Sequence, residues 1–197
     1  MTIEHAAKVA IVQWGREDAI KMVAIAGAES GWREDAAGDP VSYFHSIGQY
    51  QYDAYACGGY LSFGYWQIFQ GVHHAALASL TQSNDPCVWA AYLKVGEQNG
   101  FMARMIWEGR ANAGLDPFTA WSTYNNGAYL RYMDQATAAV DQALGAPAPA
   151  PIPPGEVPGC RSALLTLPWL ALRGVKLALS RGVKGGGQYD PMDKEES

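Results

Sequence analysis

Six of the chain's eleven prolines fall within fifteen residues, "GAPAPAPIPPGEVPG", at 145–159. Proline fixes φ and gives up its backbone N–H, so neither a helix nor an interior strand can run through such a stretch. The segment reads as an extended, semi-rigid linker. It divides the 197 residues into a body, 1–144, and an appendage, 160–197. A body of that length makes one domain of ordinary size. The apolar fraction of the chain, 49%, supplies a proper core and excludes global disorder.

The two parts differ in charge. The body carries fourteen acidic and eight basic side chains, a balance of −6, whereas residues 160–184 hold five bases (Arg161, Arg173, Lys176, Arg181, Lys184) and no acid. With a net charge of −5 overall, no nucleic-acid partner is expected. In "RSALLTLPWLALRGVKLALSRG", 161–182, leucines interleave with four of those bases. Arg173 and Lys176 inside it, and Pro168 in its first half, disfavour a membrane-spanning helix. A basic amphipathic helix that lies on an anionic membrane or docks into a partner assembly is expected instead. The start, "MTIEHAAKVAIVQWGRED", lacks the basic flank, apolar stretch and cleavage site of a signal peptide, so none is expected.

Within the body, apolar spacing predicts helices over 2–14 (Ile3, Ala6, Ala7, Ala10, Ile11, with Thr2 as cap) and 17–29 (Ala19, Ile20, Val23, Ala26, Gly27). Gly31 fits the stop of the second. Residues 38–64 lose that period and turn rich in Gly, Ser, Tyr and Asp, which predicts turns with one or two short strands. Helices are expected again over 71–81 and 85–98, from "DPFTAW" at 116, and across 128–144. Asp85–Pro86 and Asp116–Pro117 are cap and first-turn pairs. Cys57, Cys87 and Cys160 are odd in number and form no CxxC pair, so reduced thiols are expected, with one Cys57–Cys87 bridge as the open alternative. Adjacent His73 and His74 point about 100° apart on a helix and lack a third partner, so no metal site is expected.

Three short stretches carry the chemistry. "AIAGAESGW", 24–32, puts Glu29 just past Met22, Val23, Ile25 and Ala26 on an apolar helix. A carboxyl there favours its neutral form, which suits a general acid. "SFGYWQIF", 62–69, sets Gln67 between Trp66 and Ile68, and "AWSTYNNGAY", 120–129, places Tyr124, Asn125 and Asn126 before Gly127. In this order, Glu29-Ser30-Gly31, Gly64-Tyr65-Trp66-Gln67-Ile68 and Tyr124-Asn125-Asn126-Gly127 resemble the three motifs of the lytic transglycosylase and goose-type lysozyme superfamily, in particular the lysozyme-like domains of bacteriophage virion proteins. The resemblance spans roughly residues 17–144. Members often read Ala-Tyr-Asn in the third motif where this chain has Thr123-Tyr124-Asn125, and the segment 35–61 is long and Tyr-rich.

The resemblance implies a mainly α, lysozyme-like α+β fold with a small β or irregular insert. It implies peptidoglycan glycan strands as substrate and cleavage of the bond between N-acetylmuramic acid and N-acetylglucosamine, with no cofactor and no metal. By position, Glu29 is the acid/base, Tyr124 hydrogen-bonds it, and Asn125 holds the substrate acetamide or adjacent backbone. Gln67 contacts the sugar near the cleaved bond, Ser30 supports Glu29 or substrate, and Tyr65 with Trp66 supplies apolar surface under a ring. A lytic transglycosylase needs only Glu29, whereas a lysozyme-type hydrolase needs a second acid about 5–9.5 Å away. Asp39, Asp53, Glu34 and Asp35 are the candidates, although Asp39 before Pro40 reads first as an Asx-turn. Delivery inside a phage particle, with residues 160–197 docked on virion or tail proteins, would bring such an enzyme to the wall. A non-catalytic structural virion component is the rival from another class.

Overall fold

The computed structural model of the chain describes residues 2–145. The rest of the expected linker and the whole appendage lie outside the described residues. The body is mostly helical with a small antiparallel sheet.

Two helices open the chain where apolar spacing places them, α1 (Ile3–Gln13) and α2 (Arg16–Ser30). Helix α1 buries Ala6, Ala7, Val9 and Ala10 along one stripe, while its Thr2 cap position makes no side-chain capping bond. In α2 the acids Glu17 and Asp18 occupy the first turn, where the helix dipole favours negative charge. From Met22 to Gly27 every residue of α2 is buried. A helix apolar all round must be surrounded by protein. Here α1, the last helix α8 (Met133–Ala143) and the 3-10 turn Ala128–Tyr132 surround it. Gly31, at φ 62°, ends α2, and Trp32 folds back so that its indole N–H donates to the Val23 carbonyl at 2.9 Å. A Cβ on Gly27 would meet that indole at 2.7 Å and the Tyr132 ring at 2.9 Å, so only glycine permits the contact.

Strands β1 (Ala37–Pro40), β2 (Tyr60–Phe63) and β3 (Ile68–Phe69) form the sheet in that order, with Gly38 opposite Ser62 and Phe63 opposite Ile68. The turn between β2 and β3 is welded to the helices. Asn99, fully buried on α6 (Gly96–Asn112), accepts from the Trp66 N–H and donates to the Phe63 carbonyl, both at 3.0 Å. The Trp66 indole donates to the Met22 carbonyl of α2 at 2.8 Å, and the Trp121 indole donates to the Trp66 carbonyl at 3.0 Å. Each bond adds about 1 kcal/mol net, but losing one partner leaves a buried polar group that costs about 1–3 kcal/mol.

Helices α4 (Gln70–Thr81) and α5 (Pro86–Leu93) follow the sheet. Asp85 caps α5 by accepting from the Cys87 N–H at 2.8 Å, and Asp116 accepts from the Phe118 N–H at 3.1 Å. The single helix expected over 85–98 is instead two, broken at Lys94–Val95. Glu34 accounts for the break, because its buried carboxylate accepts from the Gly96 N–H and so supplies a new N-terminus for α6. Asp116 starts a 3-10 turn, Pro117–Ala120, before the short α7 (Ser122–Asn125). The insert also departs from expectation. It holds a short helix, α3 (Val41–Ser46), and a 3-10 turn, Tyr50–Tyr55, where no helical period is legible.

No residue between 41 and 60 is fully buried. The insert is held by Phe44, Tyr52 and Phe69, whose ring centroids lie 5.0–5.5 Å apart, by Tyr55 stacked on His74 at 4.5 Å, and by a disulfide. That disulfide, Cys57–Cys87, corrects the expectation of reduced thiols. Sequence spacing alone could not bring two cysteines 30 positions apart to a Cα separation of 4.9 Å. Among the described residues, no helix is long and apolar enough to cross a membrane.

Two stability predictions follow from these ties. Gly64 sits at φ 83°, and a Cβ on it would collide with the Asn99 side chain and the Leu93 carbonyl. Gly64→Ala should therefore destabilise the fold by about 2 kcal/mol or more in a urea titration. Reducing the disulfide should cost about 2–4 kcal/mol, and Cys57→Ser should melt identically with and without reductant.

Candidate active site

Glu29 lies in the last turn of α2, at the negative end of the helix dipole and next to its most apolar stretch. Its Oε1 accepts a hydrogen bond of 2.7 Å from the Thr123 hydroxyl on α7. Burial is the largest influence on its pKa and raises it; the Thr123 hydroxyl and then the Thr123 backbone N–H pull it down, and the charge of Asp39 raises it again. The net result is a raised pKa. Glu29 is thus a carboxyl that is half withdrawn from water, held by one hydroxyl and within electrostatic reach of a second acid.

The second acid comes from the sheet. Asp39 lies within β1, between the ladder residues Gly38 and Pro40, in the left-handed region, φ 54°, and accepts a hydrogen bond from Ser62 of β2. This cross-strand bond replaces the Asx-turn expected from Asp39-Pro40. The other candidate acids sit elsewhere. Glu34 caps α6, and its Oε2 is buried without a hydrogen-bond partner, 3.9 Å from His5 Nδ1. Asp53 pairs with His45 at 2.7 Å within the insert. Asp35 is exposed.

Gln67 is half-buried at φ 45° in the β2–β3 turn, its Nε2 donating to the Gly64 carbonyl at 2.9 Å. Its Oε1 occupies the space where Gly38 would carry a Cβ. The amide therefore lies against β1, one residue from Asp39, and Gly38 is required for that approach.

Three expected roles change. The hydroxyl on Glu29 belongs to Thr123, whereas Tyr124 Oη donates to Asp116 at 2.9 Å, a bond that raises the Tyr124 pKa. On so short a helix, adjacent side chains point about 100° apart, so Thr123 and Tyr124 cannot both turn to α2. Ser30 is buried, and its hydroxyl donates to the Ala26 carbonyl at 2.9 Å rather than to Glu29. Tyr65 is fully buried, its hydroxyl 2.8 Å from His5 Nδ1, with its pKa pushed above the ordinary phenol range by burial and then by Glu34 and Glu97. It packs the core, as does the fully buried Trp66, and neither can lie under a sugar. Asn125 is exposed and bonds nearby backbone, one of the two partners expected of it, its Nδ2 donating to the Thr119 carbonyl at 3.1 Å.

His74 stacks on Tyr55 and bonds the Gly71 carbonyl. Burial, then the neighbouring His74, push His73 down to about 4. Among the described residues, no group of three or more His, Cys, Asp or Glu could hold a metal ion. Two surface hollows run along α1, one over Ala139 and Ala143 and one over Val9 and Val12, and neither is lined by Glu29.

Comparison of the chain with protein-family models, with curated proteins and with solved structures finds no match.

The electrostatics of Glu29 make a stability prediction. A carboxyl whose pKa rises on folding contributes most when protonated, below its unfolded value of about 4.3, and that contribution is lost as pH rises through the folded value. Glu29→Gln, which cannot ionise, should therefore melt at a higher temperature than wild type at pH 7. The gap should close at about pH 3.5, where both side chains are neutral.

Proposed function

We propose that the body is a peptidoglycan-cleaving enzyme that breaks the β-1,4 bond between N-acetylmuramic acid and N-acetylglucosamine, with Glu29 as its acid and base. The observation that carries this reading is the state of Glu29: a carboxyl inclined by burial to keep its proton and held in place by a hydroxyl from another part of the chain. That is what a general acid requires near neutral pH.

In the transglycosylase form, Glu29 gives its proton to the linking oxygen as the bond to the muramic acid C1 breaks. The substrate's acetamide oxygen bonds to C1 and carries the positive charge. The C6 hydroxyl oxygen then attacks C1, the acetamide leaves, and Glu29 takes the hydroxyl proton, closing a 1,6-anhydro ring. With Thr123 on Oε1, Oε2 is the oxygen left to carry the proton. Gln67, beside β1, would contact the sugar near the cleaved bond, and Asn125 is the candidate for the acetamide side.

One observation favours a hydrolase of the same fold. Asp39 lies near enough to raise the Glu29 pKa, and Ser62 fixes its orientation. A second carboxylate so placed could direct a water onto C1 or support the charge there.

We extend the proposal to delivery. The leucines and bases of residues 160–197 suit docking on virion or tail proteins of a bacteriophage, or contact with an anionic membrane surface. A structural virion component that keeps this body only for wall binding is the reading to beat.

Digestion of purified sacculi followed by mass spectrometry tests the chemistry. Release of anhydro-muropeptides is expected, and Glu29→Gln should lower turnover about 100-fold or more. Reducing-end products that vanish in Asp39→Asn would establish the hydrolase instead. Sacculus binding without release of any fragment by wild type would leave the structural component.

A further inference from the structure

Position 123 departs from the alanine that the resembling motif often carries, and the hydroxyl it introduces lands on the carboxyl at the centre of the site. We infer that Thr123 is the positioning residue of Glu29, holding the carboxyl through both its protonated and its ionised state. This inference rests on the reading of Glu29 as acid and base, but the geometry behind it belongs to the chain itself.

A hydroxyl carries one donor hydrogen and two acceptor lone pairs. Facing a carboxylate, Thr123 Oγ1 donates to Oε1 across 2.7 Å. Facing a carboxylic acid whose proton sits on Oε2, the same hydroxyl still donates to Oε1, now the carbonyl oxygen. An alanine offers nothing. A group that must give a proton and later recover one is thus held by one contact throughout, with Oε2 left free for the exchange.

Thr123 is also well placed to stay still. Its side chain is branched at Cβ, which restricts χ1, and α7 is anchored at its start. There Trp121, the residue before α7, is 5% exposed, and its indole donates to the carbonyl of Trp66, whose backbone N–H and indole N–H are accepted in turn by α6 and α2. Thr123 thus connects the acid to the most heavily bonded part of the core. Tyr124 cannot do this, because its hydroxyl is engaged by Asp116. Asp39 of β1 is the charged side chain that acts on Glu29, and it acts in the opposite sense to the hydroxyl.

The test uses the full chain in four forms: wild type, Thr123→Val, Thr123→Ala and Thr123→Ser. Valine keeps the shape and branching but removes the hydroxyl; serine keeps the hydroxyl and removes the branch. Two readouts are needed. NMR titration of the Glu29 carboxyl needs no turnover, and the pH profile of kcat on sacculi does. Loss of a donor to the charged form should move the Glu29 titration upward in the valine and alanine forms, with serine near wild type. The alkaline limb of kcat should move with it, and kcat should fall about tenfold or more with KM little changed, in line with a hydrogen bond to a charged group. If valine distorts the body, the contrast between alanine and serine still decides. An unmoved Glu29 titration in the valine and alanine forms overturns the inference. A moved titration in a protein that releases no muropeptides would instead retain the Thr123 contact and sink the enzymatic reading.

Discussion

Between Met22 and Gly27, α2 meets protein on every side, and two residues later it carries an ionisable group. Such a helix cannot be closed over as an ordinary core element, since full burial of Glu29 as a charge would be prohibitive. The chain resolves this by stopping the helix sharply. Gly31 turns left-handed, Trp32 folds back over Gly27, and the last turn is left half in water. The sheet and α7 then approach that open end from two directions. The Trp66 turn, bonded to α2, α6 and Trp121 at once, fixes how close they come.

At the site itself, opposed influences of different origin meet on one carboxyl. Desolvation and Asp39 favour the neutral form, while the hydroxyl and amide of Thr123 favour the charged one. Burial is the largest of these influences, and the net pKa is raised.

Much of this was readable in the sequence, and the rest fails for identifiable reasons. Helices α1 and α2, whose ends lie within about one residue of those read, the stop at Gly31 and the capping bonds of Asp85 and Asp116 are local matters of spacing and side-chain chemistry, although Asp116 opens a 3-10 turn and not the helix expected. The break before α6 depends on Glu34, sixty-two residues away from Gly96. The burial of Tyr65 depends on His5, sixty residues away. No local pattern contains those partners. Within the third motif the sequence pointed at the right turn of helix but at the wrong hydroxyl, because motif order says nothing about which neighbour faces α2. The departure at Thr123 was itself the visible signal. Asp39 was legible as a candidate, but its bond to Ser62 is set by strand register, which only the folded sheet defines.

The covalent bond between Cys57 and Cys87 gives the molecule a dependence on its chemical surroundings that nothing in the helical core shares. Thiols stay open in a glutathione-rich cytosol and join in an oxidising space. In the open state, the span from Val41 to Tyr60 would lose its covalent tie to α5 and rest on its ring contacts, the His45–Asp53 pair and its backbone hydrogen bonds. One wall of the molecule would thus be finished later than the other, at a moment chosen by the compartment and not by the ribosome.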